Sequence, residues 1–152
     1  MRRPFKTHRD GVAVRLSATE RHFLQGLPVL LEDVDAHPDD PAFARLHVEA
    51  YPDDPDAQSE MAEYSGSQLA EVRESERAQF AAILETDQAV LTLDEAEGWL
   101  TVLGDARLAL AARLEITEPG WEETNEEDPV RITLGFLSFL QDQLVEVLME
   151  RL

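Results

Sequence analysis

The sequence predicts a mainly α fold: a compact helical domain of five to seven helices with a small N-terminal antiparallel hairpin or sheet. Three observations carry this. Ser17-Ala18-Thr19-Glu20 and Thr92-Leu93-Asp94-Glu95 are capping boxes, and each opens a stretch with apolar residues at three- and four-residue spacing. A long apolar segment follows Pro129, a residue suited to the first turn of a helix. Before the first box, apolar and polar residues alternate around Asp10-Gly11, the pattern of a short hairpin.

Phe5-Lys6-Thr7-His8 and Val12-Ala13-Val14-Arg15-Leu16 are the two strands of that hairpin. A helix then begins near Ala18 and carries Phe23, Leu24, Leu27, Leu30, Leu31 and Val34 on one face. Pro28 has no N–H for the carbonyl of Leu24 and its ring crowds that turn, so with Gly26 it predicts a kink or two stacked segments. Asp35 to Pro41 and Tyr51 to Asp56 are dense in proline and aspartate and read as loops that also cap helices, bracketing a short helix over Ala42 to Glu49. A further short helix is expected from Pro55 to Tyr64, and a longer one from Gln68 to Leu84 capped by Ser67. Val90-Leu91-Thr92 is a candidate third strand, and Leu93 to Leu114 is the clearest helix. Thr117 to Asp128 is acidic and aperiodic, a loop with Trp121 as its anchor. The final helix runs from Pro129 to about Arg151. With no internal repeat, one domain is expected over 1–152: hairpin 1–16, helical body 17–116, acidic loop 117–128 and C-terminal helix 129–152.

Charge narrows the function classes. The formal net charge is −19, from 13 basic and 32 acidic residues. Residues 1–21 hold six basic against two acidic residues, leaving seven basic and thirty acidic in the rest, a net −23 there. Such a field disfavours unspecific contact with nucleic acid or anionic lipid and favours a basic partner. The absence of cysteine excludes disulfides, thiolate metal sites and cysteine nucleophiles. The basic start is followed by Thr7, His8, Arg9 and Asp10, not by an apolar run, so it does not read as a signal peptide, and a cytoplasmic location without membrane association is expected.

Chemical motifs are sparse. Histidines and carboxylates are densest at His37, Asp39, Asp40, His47, Glu49, Asp53, Asp54 and Asp56, yet no metal-ligand spacing occurs and turn and cap chemistry accounts for them. No metal and no cofactor is expected. His8 and His22 stand alone. Neither a nucleophile elbow nor a glycine-rich phosphate loop is present, which argues against an enzyme and leaves a carboxylate-dependent hydrolase as the weakest alternative. Within Leu93 to Leu114, Arg107 interrupts the stripe Leu100, Leu103, Leu110 and Leu114. Glu76 interrupts the stripe Leu69, Val72, Phe80 and Ile83, with Arg73 at its edge. A buried Glu76–Arg107 pair is the economical expectation, since either charge alone in a core is costly, and Asp53 or Asp54 is the alternative partner for Arg107. In the last helix Phe136, Phe139, Leu140, Leu144, Val147 and Leu148 cover an arc wide for one core, so a homodimer is expected.

The hairpin start, Ala50-Tyr51-Pro52-Asp53-Asp54-Pro55, Leu91-Thr92-Leu93-Asp94-Glu95-Ala96-Glu97-Gly98-Trp99-Leu100, Gly104 to Leu114 and Leu137-Ser138-Phe139-Leu140-Gln141 together resemble an actinobacterial family of formerly unknown function that includes the oxidative stress regulator AosR. The resemblance runs over nearly the whole chain. It implies a cytoplasmic regulator of redox and cysteine metabolism acting with the transcription machinery, and it matches Tyr51, Asp53, Asp54, Arg107 and Arg113 as polar positions of no established chemistry. The cysteine switch attributed to the characterised regulator does not carry over, because this chain has no cysteine.

The expected function is therefore a non-enzymatic transcription or stress-response regulator that works by protein–protein interaction. Its partner would present a basic patch, as a sigma factor or polymerase component could, to Glu122, Glu123, Glu126 and Glu127 or to Phe136, Phe139, Leu144 and Leu148. The alternative is a direct DNA binder using Arg2, Arg3, Lys6 and Arg9, disfavoured by the −23 elsewhere.

Overall fold

The computed structural model describes residues 3–47, 71–114 and 129–151. Strand β1 (Phe5–His8) pairs antiparallel with β2 (Gly11–Val14), Phe5 opposite Val14 and His8 opposite Gly11. Arg9 and Asp10 form the two-residue turn, where His8 Nδ1 accepts from the Asp10 N–H at 3.0 Å. Strand β3 (Val90–Leu91) adds antiparallel to the other edge of β2. Gly11 has φ 149°, and a Cβ there would overlap the Leu91 carbonyl, so the glycine is required by the approach of β3 as much as by the turn.

Ser17 caps α1 (Ala18–Gln25) with the reciprocal Glu20 bond of a full capping box. The chain breaks at Gly26 and resumes as α2 (Leu27–Asp35), with Pro28 in the first turn where its missing N–H costs nothing. Asp40 accepts from the Ala42 N–H to cap α3 (Pro41–Leu46), which ends before the expected Glu49. Helix α4 covers residues 71–84, and the Arg21 guanidinium donates to the Leu84 carbonyl at 2.6 Å, satisfying its last turn. Thr92 and Glu95 form the second capping box at the head of α5 (Leu93–Arg113), and α6 spans Pro129–Arg151. The expected helix Pro55 to Tyr64, the start of α4 with its Ser67 cap, and the acidic loop with Trp121 lie outside the described residues.

Helix α5 is the centre. It contacts α2, α3, α6 and the sheet, and buries Ala96, Trp99, Val102, Leu103, Ala106, Ala109 and Ala112. Trp99 stands edge-on to Phe5 at 6.3 Å and tilts against Phe80 of α4 at 4.7 Å, joining sheet and helices. This inner face is rotated from the leucine stripe that the spacing suggests. Of that stripe Leu103 is buried and Leu100 and Leu110 are half-buried against the core, whereas Arg107 is exposed, because the closest approach of neighbouring helices falls on the alanines.

Helix α6 lies along α5 and also contacts β1 and β2. Leu137, Leu140, Leu144 and Val147 are buried in the same core, which removes Leu144 from the expected partner surface, and Leu134 is buried too. Phe136 is half-buried edge-on to Phe23 at 5.0 Å, and Leu148 is half-buried. The buried residues form one face of the helix, with Phe136 and Leu148 at its edges, which uses up most of the wide apolar arc. Residues Arg131–Glu150 are long and apolar enough, with mean hydropathy 1.3, to cross a membrane. Here one side of that helix is spent on the core.

Gly11→Ala is expected to destabilise the fold by more than about 2 kcal/mol, since the left-handed backbone and the Leu91 carbonyl both oppose a Cβ. Urea melts measure it, and an unchanged midpoint would show that β3 does not approach β2 as described.

Candidate functional site

The charged side chains that pack inside the fold converge where the ends of α2 and α3 meet α4 and α5. On α4, Arg73, Glu76 and Arg77 share one side by their three- and four-residue spacing. Arg77 donates through Nη1 to Asp35 Oδ2 at 2.6 Å, with its side chain only 11% exposed. His47 places Nε2 3.2 Å from Asp35 Oδ1, and its ring stacks on Phe43 at 4.1 Å. Arg73 donates to the Leu46 carbonyl at 2.9 Å and so closes the end of α3. Glu76 lies over Gly98, where a Cβ would stand 3.4 Å from its Oε2. One turn outward, Arg113 bridges two elements, donating to Asp40 at 2.9 Å and to Asp33 at 2.7 Å.

Burial and pairing pull these carboxyls in opposite directions. Burial pushes Asp35 up, but hydrogen bonds from Arg77 and His47 outweigh it and hold the carboxyl below its ordinary value. Asp40 is held low by Arg113 and by the Ala42 N–H. Asp105 is raised by burial, only partly offset by the charges of Arg73 and Arg77. Burial also raises Glu76, against the Thr101 hydrogen bond, and Asp105 adds repulsion. Arg77 Nε and Nη2 are buried without a hydrogen-bond partner, so Arg77 makes fewer bonds than it has donors.

Of the residues expected in a polar network, Arg73 and Glu76 lie together beside Asp105, while Arg113 pairs separately with Asp33 and Asp40. The expected Glu76–Arg107 pair is not formed: Glu76 faces Thr101, Arg73 and Asp105, while Arg107 is exposed further along α5, at a cleft. Weighting leucine over alanine turned the helix by the wrong amount. Arg77, Asp35 and Asp105 were missed, although Arg77 follows Arg73 by one helical turn and Asp105 follows Thr101 by another. His37, Asp40 and His47 serve as cap and ion-pair residues, and no group of three or more His, Asp or Glu among the described residues is placed to hold a metal ion. Tyr51, Asp53, Asp54, Glu122, Glu123, Glu126, Glu127 and Arg2 lie outside the described residues. Of the basic N-terminal set, Lys6 is exposed, Arg3 reaches Glu146 at 3.5 Å and Arg9 reaches Asp10 at 3.7 Å.

Two surface features flank α6. Between α5 and α6 lies a cleft of about 520 Å³ walled by Leu108, Ala111 and Leu134, with Asp105, Arg107 and Gln141 among its polar lining. On the outer side Ile132, Phe139, Val145 and Met149 are 57%, 38%, 39% and 64% exposed, interspersed with exposed Asp142, Glu146 and Glu150.

Residues 2–148 match the family described as a domain of unknown function, DUF2017. No curated protein and no solved structure matches the chain. The matched span takes in the hairpin, the charged network and the α5–α6 cleft.

Asp35→Ala should cost about 2 to 3 kcal/mol in urea melts, because Arg77 is left buried and unpaired, and adding Arg77→Met should recover much of it. Equal midpoints for Asp35→Ala and wild type would contradict the pairing. The pH profile should be domed. Asp105 and Glu76, raised in the fold, add stability as pH falls through their folded values toward the ordinary 3.8 and 4.5. Asp35 and Asp40, lowered in the fold, stabilise fully above 3.8 and lose that contribution as pH falls further. Asp105→Asn should raise the midpoint at pH 7 and flatten the acid-side rise.

Proposed function

The chain belongs to the DUF2017 family, and we propose that this member is a non-enzymatic cytoplasmic regulator that works by binding a protein with a basic patch. The outer face of α6 carries the reading. An apolar ridge of Ile132, Phe139, Val145 and Met149 with acidic residues between them fits an apolar surface studded with lysine or arginine. The net charge of −19 would speed encounter with such a partner and repel phosphate backbones. Asp33, Asp35 and Asp40 support the same reading, being engaged by Arg77 and Arg113, as does Arg73, which is engaged by a helix end. Contacts of Arg3 to Glu146 and Arg9 to Asp10 weaken the case for the N-terminal segment as a DNA-binding arm.

The resemblance to the oxidative stress regulator family makes a sigma factor or polymerase component the first partner to test, in a stress-response setting. With no cysteine the output is binding alone, so peroxide should not switch it through a disulfide. A homodimer through the same ridge is the competing arrangement, disfavoured by the acids it would bring together.

Purified polymerase holoenzyme and isolated sigma factors, titrated against the chain at two ionic strengths, test the reading. Binding should weaken as salt rises and should fall at least about tenfold with Phe139→Asp, an exposed position whose change leaves the core intact. A dimeric mass in light scattering that Phe139→Asp abolishes would assign the ridge to a second copy. Sequence-specific DNA binding lost on changing Arg2, Arg3, Lys6 and Arg9 to alanine would overturn the protein-partner reading.

A further inference from the structure

We propose that the cleft between α5 and α6 binds a small apolar carboxylate that carries an N–H or O–H donor beside its carboxyl group, the chemistry of an N-acylated apolar amino acid. The site is separate from the outer ridge of α6. Its volume of about 520 Å³ is that of a ligand site. The room comes from the sequence, because α5 presents Gly104 and Ala111 where larger residues would fill the gap. At Gly104 a Cβ would stand 3.4 Å from Gln141 Nε2, so the bare backbone lets the Gln141 amide lie across α5.

Three features define the ligand. Arg107 is an exposed guanidinium with no carboxylate partner among the described residues, in a chain with 32 acidic and 13 basic residues. A planar, exposed fork with no carboxylate beside it among the described residues is available to an incoming carboxylate. Gln141 Oε1 is buried and accepts no hydrogen bond, so a ligand donor would satisfy it. Leu108, 48% exposed, and buried Leu134 offer apolar wall to a side chain of a few carbons. Asp105 lines the same cleft, and its carboxyl favours a monoanion over a phosphate dianion.

Isothermal titration of the full chain with N-acetylleucine tests this, with N-acetylleucinamide as the neutral control. The acid should bind saturably, and both the amide and Arg107→Gln should weaken binding at least about tenfold. Ala111→Phe should abolish binding by filling the cleft. Arg107 is exposed and has no partner among the described residues, so Arg107→Gln should melt as wild type does and decides the matter even if Ala111→Phe fails to fold. Equal binding of acid and amide, undiminished binding by Arg107→Gln, or no binding of the acid at millimolar concentration would overturn the proposal.

Discussion

Everything in this molecule is hung on one close-packed helix. Ala96, Ala106, Ala109 and Ala112 give α5 an inner face with little side-chain bulk, and α2, α3, α6 and the sheet converge on it. Small residues shorten the distance between helix axes, so the larger groups that do enter must be accommodated at its rim. Trp99 fills the sheet end, between Phe5 and Phe80. At the other end the short helices bring their own polar termini inward, and the charged network is the consequence.

That network is best understood as helix-end chemistry. Arg73 closes α3, Arg21 closes α4, and Asp40 opens α3 while also receiving Arg113 from α5. Helices as short as α2 and α3 have a large share of their backbone groups unsatisfied, so side chains from longer neighbours must supply the missing partners. Arginine suits this because one guanidinium can serve a carbonyl or bridge two carboxylates, as Arg113 does with Asp33 and Asp40. The same economy leaves Asp105 and Glu76 imperfectly compensated, each raised by burial.

The local grammar of the sequence was readable and the rotation of its helices was not. Both capping boxes, the break at Gly26, the hairpin around Asp10-Gly11, and the bounds of α5 and α6 follow from short-range chemistry, and each is present. Which side of α5 faces inward depends on how closely other helices approach, and that is a tertiary quantity. A stripe of leucines outweighs a stripe of alanines by hydrophobicity, yet the alanines are the residues that allow contact. The same weighting puts Arg107 inside and pairs it with Glu76, while Arg77, whose side chain is only 11% exposed, looks in the sequence like one more charge on a solvated helix. On α6 the inner face meets both α5 and the sheet, so Leu144, which the pattern alone leaves open to a partner, serves the core.

What the core does not use then defines what is available for recognition. On α5 Arg107, which hydrophobic patterning assigned to the interior, instead lines a cleft beside Leu108, and on α6 the apolar residues beyond the reach of the core form a ridge among acids. Both follow from one cause. Once alanines fix the inner face of α5, Arg107 and Leu108 must turn outward, and once α6 settles against that face, Phe139 and Met149 must point away from it. An arginine with no partner among the described residues and an uncovered apolar ridge in so acidic a chain contribute nothing evident to folding, whereas the half-buried Arg21, Arg73, Arg77 and Arg113 each hold a helix end or a carboxylate. The division of labour lies between charges spent on holding short helices together and groups left free to meet something else.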